Sequence, residues 1–201
     1  VLGYPRSTYY DKQKEKSESK WEKENKKLQE DILKIYNENR DFSTTKINEK
    51  WVADITYIHI QNDGWTYLAS VLDLRIPKIV GYSFSKTMDT SLVLKALDNA
   101  MITQKPAKGL IIHTYRGSQY TSNEYRKTIK SNKFQLSYSA KGCHYDAACM
   151  ESFHAVLKKE CVYLNTFIDY THVSLILFQY IEGFYSGKRI HSSINYMTSD
   201  A

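Results

Sequence analysis

The chain has 201 residues, 42% of them hydrophobic, a net charge of +6 and a pI near 9.0. That length allows one ordinary domain plus an appendage, and no stretch approaches the roughly 20 apolar residues of a membrane span; the longest candidate, Val173 to Tyr180, is short and contains Gln179. The positive balance favours a polyanionic partner, although ordinary surface charge would give the same figure.

The opening Val1-Leu2-Gly3-Tyr4-Pro5-Arg6 leads into no apolar run of the kind a secretory signal needs. It has no initiator Met, so the sequence is expected to be a fragment. Residues 1–10 read as the end of a helix-turn unit. Asp11 to Asn39 mixes both signs of charge: lysines such as Lys12, Lys16, Lys20 and Lys27 are offset by Glu15, Glu18, Glu22 and Asp31. The stretch is therefore no basic arm. Trp21, Leu28, Ile32 and Ile35 mark an approximate helical stripe, which predicts a solvated charged helix, with DNA contact or self-association as the sharper alternative. Residues 40–50 form a polar linker. The character then changes. Trp51 to Ile60 alternates and is rich in β-branched and aromatic residues, so it reads as a strand. Asn62-Asp63-Gly64 is a hairpin turn, followed by strands over Trp65 to Leu74 and Lys78 to Phe84. Thr87 or Asp89 caps a helix from Thr90 to about Thr103. Leu110 to His113 is a short buried strand. Ser122 or Asn123 caps a helix to about Asn132, and Phe134 to Tyr138 is a fifth strand. A loop over Ser139–Tyr145 precedes a helix through Glu151 and Lys158. Two helical stretches, around Asp169–Phe184 and after Tyr185, finish the chain. Strands that alternate with helices after an opening meander predict an α/β fold with a mixed five-stranded sheet flanked by helices. Three cysteines, Cys143, Cys149 and Cys161, with no CxxC pair, point to a reduced cytoplasmic setting; a Cys143/Cys149/His154 cluster matches no common zinc module.

Three positions carry the chemistry. Asp54 lies mid-strand, where Asp is depleted. Sixty residues separate it from Tyr115, in His113-Thr114-Tyr115-Arg116-Gly117-Ser118, and thirty-five separate Tyr115 from Glu151. That is the spacing of an acidic triad for two-metal phosphoryl transfer, in which metals about 3.5–4 Å apart clamp the attacking and leaving oxygens. The middle acid is replaced by Tyr115. Lys158, seven residues after Glu151, is two turns on and on the same helix face, positioned to meet a phosphate backbone. An unperturbed phenol titrates near about 10, so Tyr115 cannot supply the charge of a bridging carboxylate, and its ring crowds the metal positions. Asp73, on a neighbouring strand, is a nearby acid but does not occupy the matching position.

The strings WVADITYI, LASVLDLRIPKIVGYS, HTYRGSQYTS, YDAACMESFHAVLKKE and YIEGFYSGKRIHSSINYMT, in that order, cover about three-quarters of the chain. Over them the chain resembles the integrase-core transposases of the IS-three group of insertion sequences, OrfB type, which are related to retroviral integrases. The resemblance implies an RNase H-like fold over residues 46–201, preceded by a helical segment and linker over residues 1–45. It implies DNA transposition by strand cleavage and strand transfer on transposon ends and target DNA, with Mg2+ or Mn2+ held by Asp54 and Glu151, in a bacterial cytoplasm at the nucleoid. By position Asp54 is the first acid, Glu151 the third, and Tyr115 stands at the second. Lys158 matches the basic residue after the glutamate. Lys188, Arg189, His191 and Ser192 match a C-terminal basic motif expected near DNA or packing the fold. There are three departures: Tyr115 for the middle aspartate, Ala147 for the asparagine after Asp146, and Asn39-Arg40-Asp41 running almost directly into the linker, where a further helical DNA-binding region is expected. Together they read as decay of a mobile-element copy. The expected function is transposition with impaired catalysis. The alternative is a non-catalytic DNA-binding remnant that competes with intact transposases, and a homo-oligomer assembled through the charged helix is a third reading.

Overall fold

A computed structural model describes residues 44–139, 148–191 and 194–199, all within one unit, Phe42–Ala201. The expected charged helix, Cys143 and Ala147 lie outside the described residues. Strand β1, Lys50–Ile60, turns at Asn62 and Asp63 into β2, Gly64–Asp73, and β3, Lys78–Ser85, completes the meander. Gly64 takes a positive φ of 74°, a conformation that favours glycine in a tight hairpin. The Asp63 carboxylate fastens the turn, accepting from Lys86 Nζ at 2.6 Å and from the Tyr170 backbone N–H at 2.9 Å.

Helix α1, Thr90–Gln104, follows; of the two predicted caps the chain uses Asp89, whose side chain accepts from Leu92 N at 3.1 Å. Strand β4, Ile111–Thr114, leads into the short helix α2, Ser118–Thr121, and then α3, Asn123–Ser131, capped by Ser122. Strand β5 is Gln135–Tyr138. Helix α4, Ala148–Leu157, widens into a π-helical stretch over Lys158–Val162, and α5, Tyr170–Phe178, widens likewise over Gln179–Ser186.

The sheet order is β3-β2-β1-β4-β5. β1 is antiparallel to β2 and parallel to β4, and β4 is parallel to β5, so the sheet is mixed. Alternation along β1 sends its two sets of side chains to two cores. Val52, Ile58 and Ile60 pack with Met150, Phe153, Leu157 and Leu177 from α4 and α5. Trp51 and Ala53 pack with Leu92, Ala96, Leu97 and Tyr125 from α1 and α3. Gly81 lets α1 close down on β3: a Cβ there would lie 2.6 Å from Ala100 Cβ and closer still to the Ala96 carbonyl.

The end of the chain differs from expectation. No second helix follows Tyr185 among the described residues. The Phe184 carbonyl takes both the Lys188 and Arg189 N–H groups, at 2.9 and 2.8 Å, closing the helix. Asn195 and Tyr196 then adopt positive φ of 57° and 60°, which no helix tolerates, and His191 bridges to Met197.

Candidate active site

The β1–β4 ladder ends at Ala53 opposite Thr114. The next residues, Asp54, midway along β1, and Tyr115, just past the carboxyl end of β4, therefore lie side by side where the pairing of the two parallel strands stops, the kind of place where α/β sheets open a crevice for ligands. Helix α4 crosses the same face and brings Glu151, in its first turn, to this point. The Tyr115 hydroxyl donates to Glu151 Oε1 at 2.6 Å. The three positions picked out by spacing converge.

Asp54 is mostly covered. Burial pushes its carboxyl up to about 6, with the Glu151 charge adding to the rise and a hydrogen bond from the Ile55 backbone opposing it. His154, one turn after Glu151, sits beside it, Nδ1 at 3.7 Å from Asp54 Oδ2. Burial, with the Lys158 charge nearby, pulls that imidazole down to about 4. At neutral pH His154 is therefore uncharged, and the contact is no ion pair. Its Nε2 is buried with no hydrogen-bond partner among the described residues. His154 is the member of this site that sequence reading did not assign to it, though the i, i+3 spacing from Glu151 on a helix is the signal for it. Tyr120, from the same motif as Tyr115, is buried behind the strand ends. Desolvation, with the Tyr125 and Asp54 charges, holds its phenol well above the usual range.

Asp73 is committed elsewhere. It is fully buried. Its Oδ2 accepts from Asn48 N at 2.6 Å and Trp51 Nε1 at 3.2 Å, and its Oδ1 from Arg75 N at 2.7 Å and Ile76 N at 3.3 Å. This is a structural hub that closes the start of β1 against the end of β2.

The basic residues divide. Lys158 is half-buried at the start of the π-helical stretch and lines a cavity together with Tyr57, Trp65 and Tyr67 of the β1–β2 hairpin. Lys188 is exposed. Arg189 is paired with Glu160, Nε to Oε2 at 3.3 Å, and lies over the Tyr185 ring. His191 is buried, its ring edge-on to Tyr185 at 5.0 Å with Nε2 3.4 Å from the Tyr185 carbonyl. Arg189 and His191 thus hold the chain end together. Ser192 lies outside the described residues.

A mixed five-stranded sheet with one acid midway along its central strand and another on the helix crossing it defines an RNase H-like α/β fold. The integrase core domain family matches residues 44–144, and a second family of that description matches residues 151–200. The chain belongs to the integrase core domain family. It is 41% identical over 153 residues to the transposase InsF for insertion sequence IS3A of Escherichia coli K12, covering 76% of this chain and 53% of that one. It is 40% identical over 158 residues to the transposase for insertion sequence element IS904 of Lactococcus lactis, covering 79% and 62%. The chain thus spans between about half and three-fifths of the length of these curated relatives. Among solved structures it is similar to the HTLV-2 integrase catalytic core domain in complex with magnesium, at a TM-score of 0.56 and 16% identity over 76% of this chain and 93% of that one. It is similar too to a chain of the simian T-cell lymphotropic virus intasome in complex with PP2A regulatory subunit B56 gamma, at 0.59 and 17%, covering 72% and 50%. The viral likenesses establish the fold.

The residues present do not fit a two-metal site. Magnesium needs hard, mostly anionic oxygen ligands. Here two carboxylates converge with a phenol that is hydrogen-bonded to one of them, and the other is held with a carboxyl near 6. Among the described residues no group of three His, Cys, Asp or Glu is placed to hold a metal ion.

Proposed function

We propose that this chain is the DNA-engaging core of an insertion-sequence transposase in which strand cleavage and transfer are impaired by Tyr115. The observation that carries this reading is the 2.6 Å hydrogen bond from the Tyr115 phenol to Glu151, formed beside Asp54. It gives a neutral donor to the carboxylate that a third anion would otherwise face across a metal. A divalent ion, magnesium or manganese, has only Asp54 and Glu151 as anionic ligands, so its affinity is weakened. DNA is engaged through Lys158 and Lys188, with Arg189 and His191 positioning the chain end beside them. The core spans residues 46–201. The setting is the bacterial cytoplasm, at the nucleoid. A homo-oligomer on DNA is consistent with the intasome and the trimeric viral core among the similar structures.

The test is a magnesium- or manganese-dependent cleavage and strand-transfer assay on DNA carrying the element's ends, with the chain as it stands and with Tyr115→Asp. Activity in the Tyr115→Asp chain alone is the expected result. Equal activity in both chains would overturn the reading, and silence in both would move the decisive loss away from Tyr115. The second reading, a non-catalytic DNA binder that competes with intact transposases, is favoured by the same hydrogen bond together with the net charge of +6. It predicts duplex binding that weakens linearly in log–log with salt and yields no cleaved product.

A further inference from the structure

The face of β1 that α1 covers at Trp51 and Ala53 continues outward as bare aromatic surface. Register places Tyr57 opposite Tyr67 and His59 opposite Trp65, so four rings tile the outer half of the hairpin on one face. They touch edge to face: Tyr57 to Tyr67 at 5.6 Å, Tyr57 to Trp65 at 6.4 Å and His59 to Trp65 at 5.0 Å. Tyr57 is 50% exposed and Trp65 60%. The segment after α4 runs along the free edge of β1, where Gln61 N donates to the Phe167 carbonyl at 3.0 Å. It supplies Lys158, Tyr163 and Asn165 as the far wall of a cavity of about 590 Å3.

The composition of that cavity limits its occupant. A large exposed aromatic cluster marks a binding surface rather than a fold requirement. Among the described residues that line it there is a lysine and no carboxylate, and Lys158 is in no ion pair among the described residues. Rings beside an ammonium, without an acid, suit a ligand that carries both π-faces and negative charge, which is the chemistry of a single-stranded nucleic acid. Tyr57, three residues beyond Asp54, projects from the opposite face of β1, so the rings and the carboxylates are separate surfaces; Lys158, seven residues beyond Glu151 on the chain that follows α4, lines the cavity from round the free edge of β1.

We propose that the Tyr57–His59–Trp65–Tyr67 face with Lys158 is a stacking pocket for an unpaired base of DNA, on the face of β1 opposite to Asp54 and distinct from the carboxylate site. This rests on the DNA-binding reading given above and adds to it a preference for unpaired bases over duplex. The probes are a short thymine-rich single strand, an abasic strand of equal length and charge, and a duplex, titrated into the full chain by fluorescence anisotropy. The chain is expected to bind the thymine strand more tightly than the abasic one. Trp65→Ala should weaken the thymine strand by roughly tenfold or more while leaving duplex affinity and its salt slope unchanged. Trp65→Phe, which keeps a ring, should restore most of the loss; comparable melting curves for all three chains keep a folding defect from imitating the result. Equal binding of thymine and abasic strands, with duplex binding intact, would overturn the pocket and leave the DNA reading standing. Absence of all DNA binding would overturn both. A Trp65-dependent dimer, with no effect of Trp65→Ala on the strands, would assign the face to a second copy and overturn the pocket.

Discussion

Asp54 is the clearest case of a residue held in place against its own stability. Its carboxyl, ordinarily near 3.8, is pushed up to about 6 chiefly by burial. A folded-state value above the unfolded one means that the protonated form is the one the fold accommodates. Its contribution is fully present below about pH 4, and it is lost as the pH rises through about 6. A rise of about two units corresponds to about 3 kcal/mol. Since the side chain retains 22% of its exposure, about 2–3 kcal/mol is the expected scale. Asp54→Asn keeps the shape and removes the charge. At about pH 8, in a chelating buffer, it should raise stability by that amount, a melting-temperature gain of roughly 5–10 °C for a domain of this size. The gain should shrink through about pH 6 and be close to nothing near pH 4. His154 runs the opposite way: its value of about 4 lies below the ordinary 6.5, so its contribution is present above 6.5 and lost as the pH falls through about 4. It is common to both chains and drops out of the comparison, while making both less stable in acid. The assay is a series of thermal melts across this pH range. A constant difference between the two chains at every pH would refute the reasoning, because burial of a charge could not then be its source.

Two further outcomes follow from the same geometry. Tyr115→Asp adds a third carboxylate beside Asp54 and Glu151, so without divalent ions it should melt lower than the parent. Added magnesium should raise its melting temperature and leave that of the parent nearly unmoved; equal responses in the two chains would count against the view that Tyr115 weakens the metal site. Asp73→Asn turns one acceptor of the buried hub into a donor facing N–H groups, and should cost about 2–4 kcal/mol in urea unfolding. A loss below about 0.5 kcal/mol would mean that the four hydrogen bonds to Asp73 are not what closes the start of the sheet.

What could be read from the sequence follows how local each determinant is. The strands were legible because their alternation and turn residues are local, and Asn62-Asp63-Gly64 and the Ser122 cap act where they stand. Asp54, Tyr115 and Glu151 were legible as a set because an unusual strand acid and two spacings single them out, and the fold brings all three to one point. The widening of both late helices into π-helical turns was not legible. The sequences of Lys158–Val162 and Gln179–Ser186 carry an ordinary helical pattern. The basic motif, expected near DNA or packing the fold, could not be divided between those two roles from the sequence. Arg189 and His191 look like DNA contacts when read as charges in a row. Their partners, Glu160 and the Tyr185 carbonyl, come from elsewhere in the late helices, and only the three-dimensional arrangement turns the motif inward.

Asp73 and Asp54 show why an acid's identity alone could not assign its role. Both are strand acids, two positions that a pattern of residue types treats alike. Asp73 meets four N–H donors, so its charge is answered by the fold and it is unavailable for anything else. Asp54 meets the Ile55 backbone, a neutral imidazole and another carboxylate, so its charge is largely unanswered within the described residues. A buried charge that the protein leaves uncompensated is one that something outside the protein is meant to compensate. In this chain the neighbouring position that would share that task carries a phenol, which answers Glu151 by a hydrogen bond and leaves Asp54 as it was. On the proposed reading the Tyr115 phenol stands in a ligand's place without relieving the burial of Asp54, and that is why the Asp54→Asn stabilisation should be as large in this chain as its burial implies.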